Sequence, residues 1–147
     1  MRFNNFLILI LAFVVSCEPE KEKPEMEMTI GTVCGWCGGT DSLVITKEEM
    51  VYAVEAICDR SEYKTSKPTP DSVWSRIVGS YDQTKFSKVN IHTCNFCADG
   101  CDTWVRVKNG TFVHEIRFGG IQDSAILKPV NEFVETLVNE KIKFSTH

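Results

Sequence analysis

The sequence predicts an α+β fold: an antiparallel sheet built from two ββα-like halves, with two amphipathic helices packed on one face. Three observations predict it. A Cys-x-aromatic-Cys unit occurs twice, as Cys34-Gly35-Trp36-Cys37 and Cys94-Asn95-Phe96-Cys97. Asn109-Gly110 sits between two alternating runs, which is the strongest short-range signal for a hairpin. Two apolar stripes of helical period each follow a proline, Pro70 and Pro129.

In chain order, Thr29–Val33 and Leu43–Thr46 read as short β-prone runs. Residues 49–57 fit either structure. A helix would use Thr46 as N-cap, Glu49 to complete a capping box, and Met50, Ala53, Val54 and Ile57 as one face. A strand would alternate Met50, Tyr52, Val54 and Ala56. The internal repeat decides for strand. Each cysteine unit is followed by a small-residue turn, then by an Asp, a hydroxyl residue, an apolar residue and Val: Asp41-Ser42-Leu43-Val44 in one half, Asp102-Thr103-Trp104-Val105 in the other. The second copy runs into an unmistakable hairpin, so the first is expected to do the same.

Thr69 as N-cap and Pro70 at the first helical position then open a helix with Val73, Trp74, Ile77, Val78 and Tyr81 on one side. In the second hairpin a two-residue turn at Asn109-Gly110 would set Lys108 opposite Thr111 and Val107 opposite Phe112. Val105, Val107, Phe112, His114, Ile116 and Phe118 then share a core face. Trp104, Arg106, Val113 and Arg117 fall on the other face, where exposed Trp and Arg are candidate binding anchors. His114 reads as a packed histidine. Lys128-Pro129 opens the last helix, whose stripe is Val130, Phe133, Val134, Leu137 and Val138.

The N-terminal end carries a different message. Arg2 precedes an unbroken apolar run from Phe6 to Val15, and Val14-Val15-Ser16-Cys17 follows. This resembles the signal peptide and lipobox of bacterial lipoproteins. The resemblance implies that residues 1–16 are removed and that Cys17 is acylated by diacylglycerol and becomes the lipidated N-terminus. The run is also far shorter than the ~20 residues that span a bilayer. Residues 17–28 read CEPEKEKPEMEM, an acidic Pro/Glu/Lys tether. Its acidic and Lys-rich start is similar to the signals that send lipoproteins of the Bacteroidetes to the cell surface. The implied location is the envelope membrane, periplasmic or surface-exposed, in the outer membrane. Residues 29–147 form the single α+β domain. Its second half, through Asp99-Gly100-Cys101-Asp102-Thr103-Trp104 and the hairpin after it, resembles small bacterial lipoprotein domains of unknown function. That likeness carries a fold and no activity.

Composition narrows the function classes. The formal net charge is −4, which gives no basic patch for nucleic acid. Contact with the membrane is expected through the lipid alone. Paired carboxylates, a nucleophile elbow and a phosphate loop are missing, so no catalytic residue and no cofactor are assigned. Asp99 and Asp102 offer too few oxygens for Ca²⁺ and read as a turn.

Six cysteines remain after Cys17: Cys34, Cys37, Cys58, Cys94, Cys97 and Cys101. In an exported domain an even number suggests disulfides. The connectivity is not fixed by the sequence; the repeat favours bonding between halves, from Cys34 or Cys37 to Cys94 or Cys97, with Cys58 and Cys101 as a further pair, and the alternative is local pairing within residues 94–101. A rival is a structural zinc site from Cys34, Cys37, Cys94 and Cys97. A third reading takes Cys34-Gly35-Trp36-Cys37 as a thioredoxin-type dithiol, although no helix follows to stabilise a thiolate. The leading function is therefore a non-catalytic binding or structural accessory module with a protein partner in the envelope. An inhibitor or immunity-type protein against a secreted enzyme, and a thiol-disulfide oxidoreductase, are the alternatives.

Overall fold

The computed structural model describes residues 25–36, 38–56, 58, 61–119 and 124–146. The leader, Cys17, the first part of the tether and Cys37 lie outside the described residues. Six strands form one antiparallel sheet: β1 (Met26–Cys34), β2 (Gly39–Ile45), β3 (Glu49–Glu55), β4 (Glu62–Pro68), β5 (Cys101–Asn109) and β6 (Phe112–Phe118). Their spatial order is β4-β3-β2-β1-β5-β6. The helices are α1 (Asp71–Ser80), α2 (Gln83–Phe86), α3 (Ser124–Leu127) and α4 (Asn131–Ser145), with 3₁₀ turns at Asn95–Ala98 and Lys128–Val130.

β1 is the seam of the molecule. It pairs with β2 on one side and with β5 on the other, from Met26 opposite Asn109 to Cys34 opposite Cys101. It also begins three residues before the boundary drawn at Thr29. Met28 is fully buried, between Ile45 and Val107 in the register. Met26, Met28 and Ile30 alternate with Glu27 and Thr29, a strand pattern hidden by the charges of the tether.

The buried apolar residues of the sheet share one side. They include Ile30, Leu43, Met50, Tyr52, Val105, Val107, Ile116 and Phe118. Against them pack Ile77 of α1 and Phe133, Val134, Leu137 and Phe144 of α4. α4 lies against β1, β3 and α1. Arg76 reaches from α1 to the buried Glu140 of α4 at 2.6 Å. Phe86 meets the rings of Phe133 and His114 edge-on, at 5.5 and 5.2 Å. His114 is half-buried, and its Nε2–H donates to the Val89 carbonyl at 2.8 Å.

The strand chosen for residues 49–57 is present over Glu49–Glu55, and three other local expectations are corrected. An additional strand, β4, stands between the β2–β3 hairpin and α1, so the first half is not a simple ββα unit. Thr46 does accept from Glu49 N, at 3.1 Å, yet it closes the β2–β3 turn and caps no helix. The N-cap of α1 is Pro70, because the Thr69 hydroxyl donates instead to the Thr46 carbonyl at 2.8 Å. In the second hairpin Asn109 pairs with Phe112, so the loop is Gly110-Thr111. Gly110 has φ 60° and Thr111 has no positive φ, the preference of a turn with glycine at its first central position. This moves each partner by two residues, and the two faces keep the residues assigned to them.

The sheet edges differ. β6 is covered by the segment before the cysteine turn: Arg117 N donates to Ile91 O at 2.8 Å, and Thr93 N to Arg117 O at 3.0 Å. Among the described residues β4 is an unpaired edge, and it carries Lys64, Lys67 and Pro68, residues that discourage pairing with another strand. Among the described residues no helix is long and apolar enough to cross a membrane.

Candidate functional site

The side of the sheet opposite the helices carries the four binding-face residues. Trp104 packs over Gly31 of β1, the residue paired with it in the register. A Cβ on Gly31 would sit 2.4 Å from the indole Cε2, so only glycine leaves room for the ring. The Arg106 guanidinium lies 5.5 Å over the Trp104 ring and grips Glu115 through Nε at 2.9 Å and a terminal nitrogen at 2.6 Å. Arg117 shares Glu115 at 3.3 Å and stacks 5.4 Å over Phe96. Val113 completes the face and is 59 % exposed. The result is a row in which the Glu115 carboxylate holds two guanidinium groups, each stacked on an aromatic ring. Arg117 Nε is buried and has no hydrogen-bond partner among the described residues.

The two cysteine turns meet beside this row. Gly35 N donates to Gly100 O at 2.9 Å. Cys34 and Cys101, paired in the β1–β5 register, form a disulfide with Cα atoms 4.0 Å apart. Cys94 and Cys97 form a second, across the 3₁₀ turn, with Cα atoms 5.3 Å apart. Cys58 is also disulfide-bonded. The halves are thus cross-linked, but through Cys101 and not through Cys94 or Cys97, and the expected Cys58–Cys101 pair is excluded. The reason is register: adjacent strands bring Cys34 and Cys101 opposite each other, while the tight turn closes Cys94 on Cys97. The zinc reading loses Cys34, Cys94 and Cys97 as thiolates, and the dithiol reading loses Cys34. Between the turns Trp36 projects with 80 % of its surface exposed and a φ of 54°.

Asp102 organises this end. It is fully buried and accepts hydrogen bonds from the Thr93 hydroxyl at 2.6 Å, Asn95 Nδ2 at 3.0 Å and Phe96 N at 3.2 Å. Burial pushes its pKa up, but these bonds outweigh it and hold the carboxyl below the usual carboxylate range. Read from the sequence as a turn residue, it is the anchor of the cysteine turn.

A second polar cluster was not anticipated. Asp41, on the helix side of β2, accepts from Thr32 N at 2.9 Å and from the Tyr52 hydroxyl at 3.1 Å. Lys141 of α4 forms an ion pair with it at 2.5 Å and also donates to the Thr32 hydroxyl. Burial, then the charge of Asp41 and its hydrogen bond, push the Tyr52 phenol up to about 12. The signal available was parity: Asp41 alternates with Leu43 and Ile45 and so faces inward.

Among the described residues no group of three or more His, Cys, Asp or Glu could hold a metal ion. No protein-family model matches the chain, and no curated protein is similar to it.

Proposed function

We propose that the chain is a membrane-anchored lipoprotein of the bacterial envelope whose domain acts as a non-catalytic binding module, stabilised by disulfides. The observation that carries this reading is the sheet face that no described helix covers, where Trp104, Arg106, Phe96 and Arg117 form a preorganised row beside exposed Val113. Aromatic and arginine side chains already fixed by stacking lose little freedom on docking, which suits them to anchor a protein partner. The acidic tether distances this face from the lipid.

Anchoring has a direct test. Cys17→Ser is expected to release the protein from the membrane fraction of a bacterial host, and retention of the uncut variant there would remove the lipoprotein reading. Docking is tested in cells by a photo-crosslinking residue at Val113. One discrete adduct is expected, lost in Arg106→Glu. Equal adducts from the exposed Val78 of α1 would show that the sheet face is not the contact. A secreted hydrolase in the adduct would make the module an inhibitor or immunity-type protein. The exposed Cys94–Cys97 disulfide keeps thiol exchange in view; insulin reduction that Cys94→Ser abolishes would favour an oxidoreductase.

A further inference from the structure

The helix side of the molecule holds a groove that the docking face does not use. Two cavities of about 270 and 210 Å³ flank the C-terminal end of α4, and a third of about 220 Å³ lies over β1–β3 beside them. The third shares Thr32 and Asp41 with the first and Tyr52 with the second, so they adjoin one another along the sheet. The middle of the groove is polar: the Asp41–Lys141 pair, with Thr32 and Tyr52 bound to the same carboxylate. Its far end is aromatic. Tyr63 is 57 % exposed there, next to Phe144, whose ring stands 5.9 Å from that of Tyr52.

We infer that this groove binds a short neutral saccharide, with vicinal hydroxyls on the Asp41–Lys141 pair and a sugar face on Tyr63. Charge decides the ligand class. The pair is neutral as a unit, so an anion would meet Asp41 and a cation would meet Lys141, each with the attraction cancelled. A ligand must instead offer a donor to the carboxylate and an acceptor to the ammonium side by side, which a vicinal diol does. Lys67 adds a positive charge near Phe144, but its ammonium rests 4.1 Å over that ring. Sugar rings also present C–H faces, and an exposed phenol ring is the partner such a face packs on. The first cavity, about 270 Å³, is close to the lower size of ligand pockets, about 300 Å³, so one sugar unit fills it and the next ones reach across the adjoining cavities toward Tyr63.

The test uses the purified Cys17→Ser chain, titrated by calorimetry with cellotriose, maltotriose and chitotriose. Saturable binding of at least one is expected, about tenfold weaker in Lys141→Met because charge-assisted hydrogen bonds are lost. Tyr63→Ala, a change at an exposed edge strand that spares the core, is expected to weaken binding as well. Trp104→Ala is expected to leave it unchanged, which separates this site from the docking face. Absence of binding by all three sugars, or binding insensitive to Tyr63→Ala, would overturn the inference. So would tighter binding of trigalacturonic acid than of any neutral trisaccharide, since that would place Lys67 at the centre of recognition.

Discussion

Replacing Cys34 and Cys101 together by serine is expected to lower the unfolding free energy by about 4 kcal/mol. The bond spans a sequence separation of 67, and loop-closure entropy for a chain of that length gives roughly this value. For a domain of this size the melting midpoint should fall by about 15 °C. Replacing Cys94 and Cys97 together should cost about 2 kcal/mol, because their bond closes a separation of only 3. The position adds a reason beyond chain entropy. β1–β5 is the seam on which the two halves meet, and Cys34–Cys101 fastens its end. Urea melts of the two double variants, with m-values compared, decide the matter. Equal losses in midpoint would mean that the seam is held by strand pairing and packing alone. A larger loss for Cys94 and Cys97 would mean that the 3₁₀ turn organises the domain.

How much of this was legible in the sequence depends on the range of each interaction. Alternation is local, so the core faces of β5 and β6 could be assigned from Val105, Val107, Ile116 and Phe118. The same parity placed Trp104, Arg106, Val113 and Arg117 together on the uncovered side. It even survived the displaced turn, because a shift of two positions preserves facing. β4 could not be read. Its residues Glu62–Pro68 are polar on both faces, since an edge strand buries little of itself, and neither period rises above the background. Met26 and Met28 were read with the tether because five glutamates surround them in residues 18–28, and composition outweighed a three-residue alternation.

Long-range partners were out of reach for a different reason. Lys141 meets Asp41 from the last helix, and nothing local to either residue names the other. The cysteine pairing needed the β1–β5 register, which sequence patterns do not supply across 67 residues. The repeat argument reached the right level, a bond between halves, and chose the wrong partner within it. It matched cysteine to cysteine by position in the motif, whereas bonding follows position in the sheet.

Asp102→Ala is expected to destabilise the domain by about 3 kcal/mol, and to do so in a way that vanishes in acid. The carboxylate is fully buried and serves three donors. Removing it orphans Phe96 N, and an unsatisfied buried donor costs about 1–3 kcal/mol. The Thr93 hydroxyl keeps a fallback in the Arg117 carbonyl at 3.3 Å, and the exposed Asn95 amide finds water, which limits the total. Asp102→Asn should cost less, because its amide oxygen still accepts while its amide nitrogen faces donors. The pH dependence follows from linkage. The folded pKa lies below the ordinary carboxylate value despite burial, owing to the Thr93, Phe96 and Asn95 hydrogen bonds. A carboxyl of this kind contributes its full stability above the unfolded pKa, about 3.9. That contribution is lost as pH falls from there through the lower folded pKa. The difference in unfolding free energy between the native chain and Asp102→Ala should therefore be constant from pH 7 to pH 5. It should shrink steadily below pH 4. Urea melts across that range measure it. A difference that stays constant down to pH 2 would show that the aspartate acts through its shape and not through its charge, and the carboxylate would no longer explain how the cysteine turn is held.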